Sequence, residues 1–200
     1  MDMLAGLGGL IVNFLAFFIC LSVHEASHAW AANKLGDPTS KYEGRLSLNP
    51  IRHIDLFGTV LLPLFLILSG LPAFGYAKPV LVDPRNFANF KKDMYITALA
   101  GPGSNLLFAL IIGILISAFP ALEFLSILIY INLALAFFNL IPIPPLDGSK
   151  VLQFFVSEEV YESLTRYGYF ILIALIFLTP VFDYLFTIVY SISNILTNLF

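Results

Sequence analysis

His24, Glu25 and His28 stand in the order His-Glu-Ala-Ser-His. Residues four apart on a helix project from one face, so both imidazoles can close on one metal ion. Glu25 lies about 100° around the helix from His24, where its carboxylate can meet a water without ligating the ion. This is the HExxH pattern, in which two imidazoles hold zinc and the Glu works on the attacking water. The motif lies inside an apolar stretch that starts near Met3 and runs to about Leu35. A lone histidine on an apolar face is usually a satisfied core residue. Here a chance match would put together three side chains that each cost about 2–3 kcal/mol at bilayer depth, and a metal site supplies the role that offsets this.

The rest of the chain sets the medium in which such a site must work. Of 200 residues, 59% are hydrophobic and 12% charged, and mean hydropathy is +0.90. A soluble domain carries about 25% charged residues, so the composition is that of an integral membrane protein with one membrane domain and no large soluble appendage. The formal net charge of −3 argues against a nucleic-acid partner. Cys20, the single cysteine, leaves no internal disulfide. It lies one turn before His24 and reads as a small packed thiol rather than as a fourth ligand. Asp2, and the lack of a basic segment ahead of the apolar run, argue against a cleaved signal peptide.

Apolar segments fall at about 3–33, 56–74, 94–119, 122–141 and 168–200. The first, third and fourth reach the roughly 20 residues a spanning helix needs. The second is interrupted at Pro63, Ser69-Gly70 and Pro72, and the last at Pro180 and Asp183, so the last reads as a helical hairpin or one kinked helix. Between the segments, residues 34–55 carry Lys34, Lys41, Arg45 and Arg52, and residues 75–93 carry Lys78, Arg85, Lys91 and Lys92. The positive-inside rule puts both stretches in the cytoplasm. The segment between them is then a re-entrant hairpin, with the N-terminus and the turn around Pro120 and Glu123 outside. Residues 42–48 alternate polar and apolar, and residues 76–82 are rich in β-formers, which predicts a small sheet near the cytoplasmic face.

A catalytic zinc takes three protein ligands. Candidates for the third are His53 and acidic residues at helix ends. The strongest is Asp147, which follows a spanning segment at a break made by Pro142, Pro144 and Pro145 and precedes Gly148. The competing reading makes Asp147 the cap of the helix that starts at Ser149.

With these residues on view, the chain resembles the site-2 protease family of intramembrane zinc metalloproteases. His24 to His28 match its HExxH, and residues 139–148 look like its Asn/Pro…Asp-Gly motif. Gly44-Arg45-Leu46 with Asn49-Pro50 and His53-Ile54-Asp55 resembles a compact prokaryotic subgroup without a PDZ or other regulatory domain. So do residues 75–79, residues 84–86, and Ala100 to Asn105. The resemblance implies an all-α polytopic membrane protein of about five to six membrane helices, including a re-entrant hairpin, beside the small β-hairpin or sheet. It implies one domain over 1–200: an HExxH helix at 3–35, a strand, loop and re-entrant region at 36–92, helices at 93–119 and 122–141, the Asp-Gly motif at 139–148, and a C-terminal helical hairpin at 165–200. It also implies one Zn²⁺ per chain on His24, His28 and Asp147, with Glu25 as general base.

The expected activity is hydrolysis of peptide bonds within transmembrane segments of membrane proteins, as in regulated intramembrane proteolysis. Asn139, Asn105 and His53 are candidates for stabilising the oxyanion or shaping the site. Tyr42, Gly44, Leu46 and Leu48 are candidates for a strand edge that receives the unwound substrate. The expected setting is the cell membrane, multi-pass, with the lipid bilayer and substrate proteins as partners and the site opening to the cytoplasm. A metal-ion transporter is the main alternative, but it usually carries repeats and gives Glu25 no role. A catalytically silent scaffold is the other.

Overall fold

The computed structural model describes residues 3–70 and 78–198. Helix α1 (Met3–Lys34) carries the HExxH motif. It stops at Gly36, whose φ of +110° disfavours a side chain. The short α2 (Thr39–Tyr42) follows. Asp55 then caps an apolar element through the amides of Phe57 and Gly58; this element starts as a π-helical turn, Leu56–Leu61, and continues as α3 (Leu62–Leu68). Helix α4 (Phe90–Ala118) starts on a reciprocal cap: Asn89 accepts from the Lys92 amide, and Asp93 accepts from the Asn89 amide. A 3₁₀ segment, Pro120–Leu125, leads into α5 (Ser126–Asn139). After the proline-rich loop come α6 (Gly148–Leu152), α7 (Glu158–Leu178) and α8 (Val181–Thr197).

Among the described residues, four helical stretches are long and apolar enough to cross a membrane: Ile11–Lys34, Phe90–Ala118, Pro120–Asn139 and Glu158–Leu178. Leu56–Leu68 and Val181–Thr197 are apolar but shorter. At 1.5 Å per residue the former is about 20 Å long, too short to cross a ~30 Å hydrocarbon core alone. The all-helical expectation therefore holds, while the predicted sheet does not. Among the described residues there is no strand. Tyr42 ends α2, Gly44 turns with φ +71°, and the amides of Gly44, Arg45 and Ser47 bond to Lys41, Ser40 and Arg45 carbonyls. These turns take the amides of Gly44, Arg45 and Ser47, and no described strand lies beside the segment to pair with the rest. The second predicted strand falls partly at 71–77, outside the described residues; from 78 to 82 the chain is irregular.

Helices α1, α4 and α5 form the centre. Ala109, Ile112 and Ile116 of α4 pack with Ile129 and Leu133 of α5 and Val189 of α8. Small residues on α1, including Ala16, Cys20, Ala29 and Ala32, are buried and let its backbone approach its neighbours. Thr179 and Pro180 split the C-terminal stretch into two helices. Phe182, at the start of α8, packs on Phe138 at the end of α5, with ring centroids 5.6 Å apart. Leu196, at the other end of α8, lies against Gly113 of α4. Helix α8 thus runs antiparallel to α5, and exposed Asp183 sits at the Asp147 end of the bundle. Helix α7 packs instead along the proline loop, through Gly168 at Pro144 and Leu172 at Leu146.

At the Lys34 end of α1, buried Asp37 ties two polar connections together. Its carboxylate accepts from the Thr39 hydroxyl (2.5 Å), the Asn86 amide (2.8 Å), the Asp83 backbone N–H (2.8 Å) and the Thr39 N–H (3.1 Å). Burial works against its charge, and these hydrogen bonds outweigh it, so its pKa lies below the ordinary carboxylate value. A depressed folded-state pKa contributes stability that is complete above pH ~4 and is lost as pH falls through the folded value. Asp37→Asn should lower stability at pH 7 by about 1–3 kcal/mol. The gap to wild type in thermal unfolding in detergent should narrow below pH ~4, and a gap that widens on acidification contradicts this account.

Candidate metal centre

Helix α1 presents His24 and His28 on its buried face, with ring centroids 4.7 Å apart. Helix α4 crosses directly over them. The Nε2 atoms lie 3.0 Å apart, and Asp147 Oδ2 lies 3.1 Å from each. Among the described residues this is the one group of three side chains that could hold a metal ion. The histidines are almost wholly buried, while 22% of the Asp147 side chain is exposed.

The far side of each ring is already engaged. His28 Nδ1 is 2.7 Å from Thr97 O, which as a carbonyl can only accept, so Nδ1 carries the proton. His24 Nδ1 is 2.5 Å from Asn105 Oδ1. Neutral rings protonated at Nδ1 have bare lone pairs at Nε2. Two such lone pairs and a carboxylate oxygen facing one another in an apolar interior repel unless a cation lies among them. Two imidazoles oriented by acceptors behind them, plus one carboxylate, form the donor set of catalytic zinc. The residues present therefore fit the metal that their pattern implies.

Two glycines allow this approach. A Cβ on Gly101 would collide with the rings of both His28 and His24, and one on Gly148 would collide with the carbonyls of Leu140 and Ile141. The first lets α4 lie over the histidines. The second lets the chain fold back after Asp147, whose backbone begins α6 while its side chain makes no cap bond. Gly101 belongs to the Gly-Pro-Gly stretch noted in the sequence, but its role depends on a crossing point that no local pattern reports.

The other sequence candidates are distributed around this centre. Glu25 is half-buried and makes no hydrogen bond or ion pair with another described residue. Asn105 is wholly buried; its amide hydrogens go to Asn132 Oδ1 (2.6 Å) and Cys20 O (3.2 Å). With both hydrogens engaged, Asn105 has no donor left for an oxyanion. Asn139 donates to Leu135 O on its own helix. His53 is buried away from the cluster and donates from Nε2 to Ser47 O at 2.7 Å, while its Nδ1 has no partner. Cys20 Sγ accepts from Asn132 at 3.0 Å, as a packed thiol rather than a ligand. Tyr42 is exposed, and Leu46, Ser47 and Leu48 line a cavity of about 290 Å³ with Ala26, Ser27 and Trp30 of α1.

Gly101→Ala should therefore abolish zinc retention, whereas Gly103→Ala, where a Cβ meets nothing within 4 Å, should leave it at the wild-type level. Metal analysis of the two purified proteins checks this. Equal zinc in both would mean that α4 does not lie as close to the histidines as described.

Comparison with known proteins agrees with this chemistry. Residues 117–179 match the profile of Peptidase family M50. The chain is 37% identical over 186 residues to the Bacillus subtilis (strain 168) protein named "Putative zinc metalloprotease YwhC", covering 85% of this chain and 81% of that one. It is 28% identical over 199 residues to "Putative zinc metalloprotease Rip2" of Mycolicibacterium smegmatis, covering 94% and 74% of the two chains. It is 29% identical over 202 residues to the protein of that name in Mycobacterium tuberculosis strain H37Rv, covering 96% and 76%. No solved structure matches. Apolar helices carrying an HExxH pair, and a relative this similar over most of both chains, make the chain a member of the site-2 protease family, the M50 zinc metalloproteases.

Proposed function

We propose that this protein is an intramembrane endopeptidase that binds one zinc ion per chain and cuts the transmembrane segments of other membrane proteins. The observation that carries this reading is the meeting of His24 Nε2, His28 Nε2 and Asp147 Oδ2 within 3.1 Å inside an apolar bundle, with Glu25 alongside and unpaired. Zinc bound by these three atoms supplies Lewis acidity to the scissile carbonyl and to the attacking water. Glu25 takes a proton from the water as its oxygen attacks the carbonyl carbon. It delivers that proton to the leaving nitrogen as the C–N bond breaks.

Several features favour substrates that unwind from the membrane. Lys34 lies six positions after His28, so the site lies roughly 5–10 Å below the face marked by the lysine. Lys34, Lys91, Lys92 and the Asp-Gly loop all lie at one end of the bundle, which we take as the cytoplasmic end. A short wet path from that face reaches the centre. A helical substrate hides its carbonyls in hydrogen bonds and must be opened before attack. The amides of Leu46 and Leu48 make no hydrogen bond among the described residues. They line a cavity against the HExxH helix, where they could hold an unwound backbone by strand-like pairing. In this reading α1 enters from outside, the α3 region dips in from the cytoplasm and returns, and α5 brings Asp147 to the inner side of a cell membrane.

Glu25→Gln should keep zinc and lose proteolysis by about 10²–10⁴-fold, because the amide cannot take the proton. Asp147→Ala should lose zinc, while Asp55→Ala and Asp183→Ala retain it. Membrane proteomics of wild-type against Glu25→Gln cells, scored for fragments cut inside hydrophobic segments, tests the activity; identical fragment sets would refute it. Single cysteines at Arg52 and Lys78 should label with an impermeant reagent only in inside-out vesicles, and one at Glu123 only in right-side-out ones. Labelling of Arg52 or Lys78 from the outside would overturn the proposed topology.

A further inference from the structure

His24 is held from behind by a polar chain buried where α1, α4 and α5 meet. Asn105 and Asn132 are both wholly buried. Two backbone carbonyls, which can only accept, set the direction of every bond in the chain. Leu128 O lies 2.8 Å from one end of the Asn132 amide, so that end is the NH₂ and the oxygen faces Asn105 at 2.6 Å. Cys20 O lies 3.2 Å from the Asn105 nitrogen, so Asn105 presents its NH₂ to Cys20 O and Asn132 Oδ1, and its oxygen to His24 Nδ1. Turning Asn105 over would set its oxygen against two acceptors. His24 must then donate from Nδ1, and its Nε2 lone pair is left facing His28 and Asp147.

We propose that Asn105 is the positioning residue that fixes the tautomer and ring orientation of His24, and that Asn132 fixes Asn105, so that these two asparagines set the affinity of the centre for a divalent cation. This rests on the reading of His24 as a zinc ligand. His28 has a backbone carbonyl for the same purpose, whereas His24 depends on a side chain from another helix, which depends on a side chain from a third. Asparagine that merely glues helices would need acceptors somewhere in the bundle. It would not need its oxygen aimed at a ligand's second nitrogen.

The test uses the purified full chain in the Glu25→Gln background, so that no activity is required. Zinc affinity is measured by chelator competition, and the visible ligand-field spectrum is recorded with cobalt(II) in place of zinc. Asn105→Leu removes the acceptor at similar volume and should weaken zinc by about 10–100-fold and shift the cobalt bands. Asn105→Asp in its neutral form keeps the carbonyl for His24 and offers a hydroxyl to Asn132, so it should restore affinity and bands to near the parent. Equal losses in both variants, or parental affinity in Asn105→Leu, overturn the proposal. Should Asn105→Leu fail to fold, Asn132 carries the test. Asn132→Asp keeps the oxygen that faces Asn105 and should bind more tightly than Asn132→Leu, and equal affinity of that pair is equally fatal. Zinc retained by Asp147→Ala would instead refute the ligand assignment itself.

Discussion

Three electron-rich atoms held within 3.1 Å of one another in an apolar bundle repel unless a cation lies among them, and much of this protein is organised around that constraint. Helix α4, which crosses the histidines of α1, packs closely along both α1 and α5. The polar residues buried beside it are placed so that the histidines donate away from the centre. Thr97 O and Asn105 Oδ1 take the Nδ1 protons, and Asn132 and Cys20 O hold Asn105 in turn. In a medium where an unpaired amide costs several kcal/mol, both asparagine amides have partners, whereas the buried Thr97 hydroxyl has none among the described residues.

Close approach has its own requirements. Helix α4 can lie over two imidazoles because position 101 has no side chain, and the loop after α5 can fold back because position 148 has none. Pro102 follows Gly101 inside the helix and withholds an amide from its hydrogen-bond ladder. The same helix is thus weakened locally and brought near where the site needs it. Its stability must come from elsewhere, from the Asn89–Asp93 cap at its start and from the apolar contacts of Ala109, Ile112 and Ile116 beyond the site.

The polar end of the bundle is tied down independently of the metal. Asp37, just past the HExxH helix, gathers amides and a hydroxyl from two connections that are distant in sequence. It anchors the chain on either side of the α3 region, whose own start is set by Asp55. The segment around Leu46 and Leu48 lies close to α1 between these anchors. It leaves amides open beside a cavity where a ladder would have consumed them.

Part of this was legible before any tertiary contact. A period of 3.6 residues puts His24 and His28 on one face whatever surrounds them, and the lengths of the apolar runs are enough to make the chain a membrane protein. Asp147 stood out because prolines and a glycine isolate a carboxylate after a spanning segment. What the sequence could not decide is whatever depends on how helices cross. Residues 42–48 alternate like a strand, but a strand exists only with a partner; here the amides of Gly44, Arg45 and Ser47 close local turns, and no described strand lies against those of Leu46 and Leu48. The end at which Asp183 lies follows from Phe182 meeting Phe138, a contact between residues 44 positions apart. Gly101 and Asn105 were visible as a motif. That one clears space for the imidazoles, and that the other aims its oxygen at His24, follows from the place where α4 crosses α1, and no local pattern encodes that crossing.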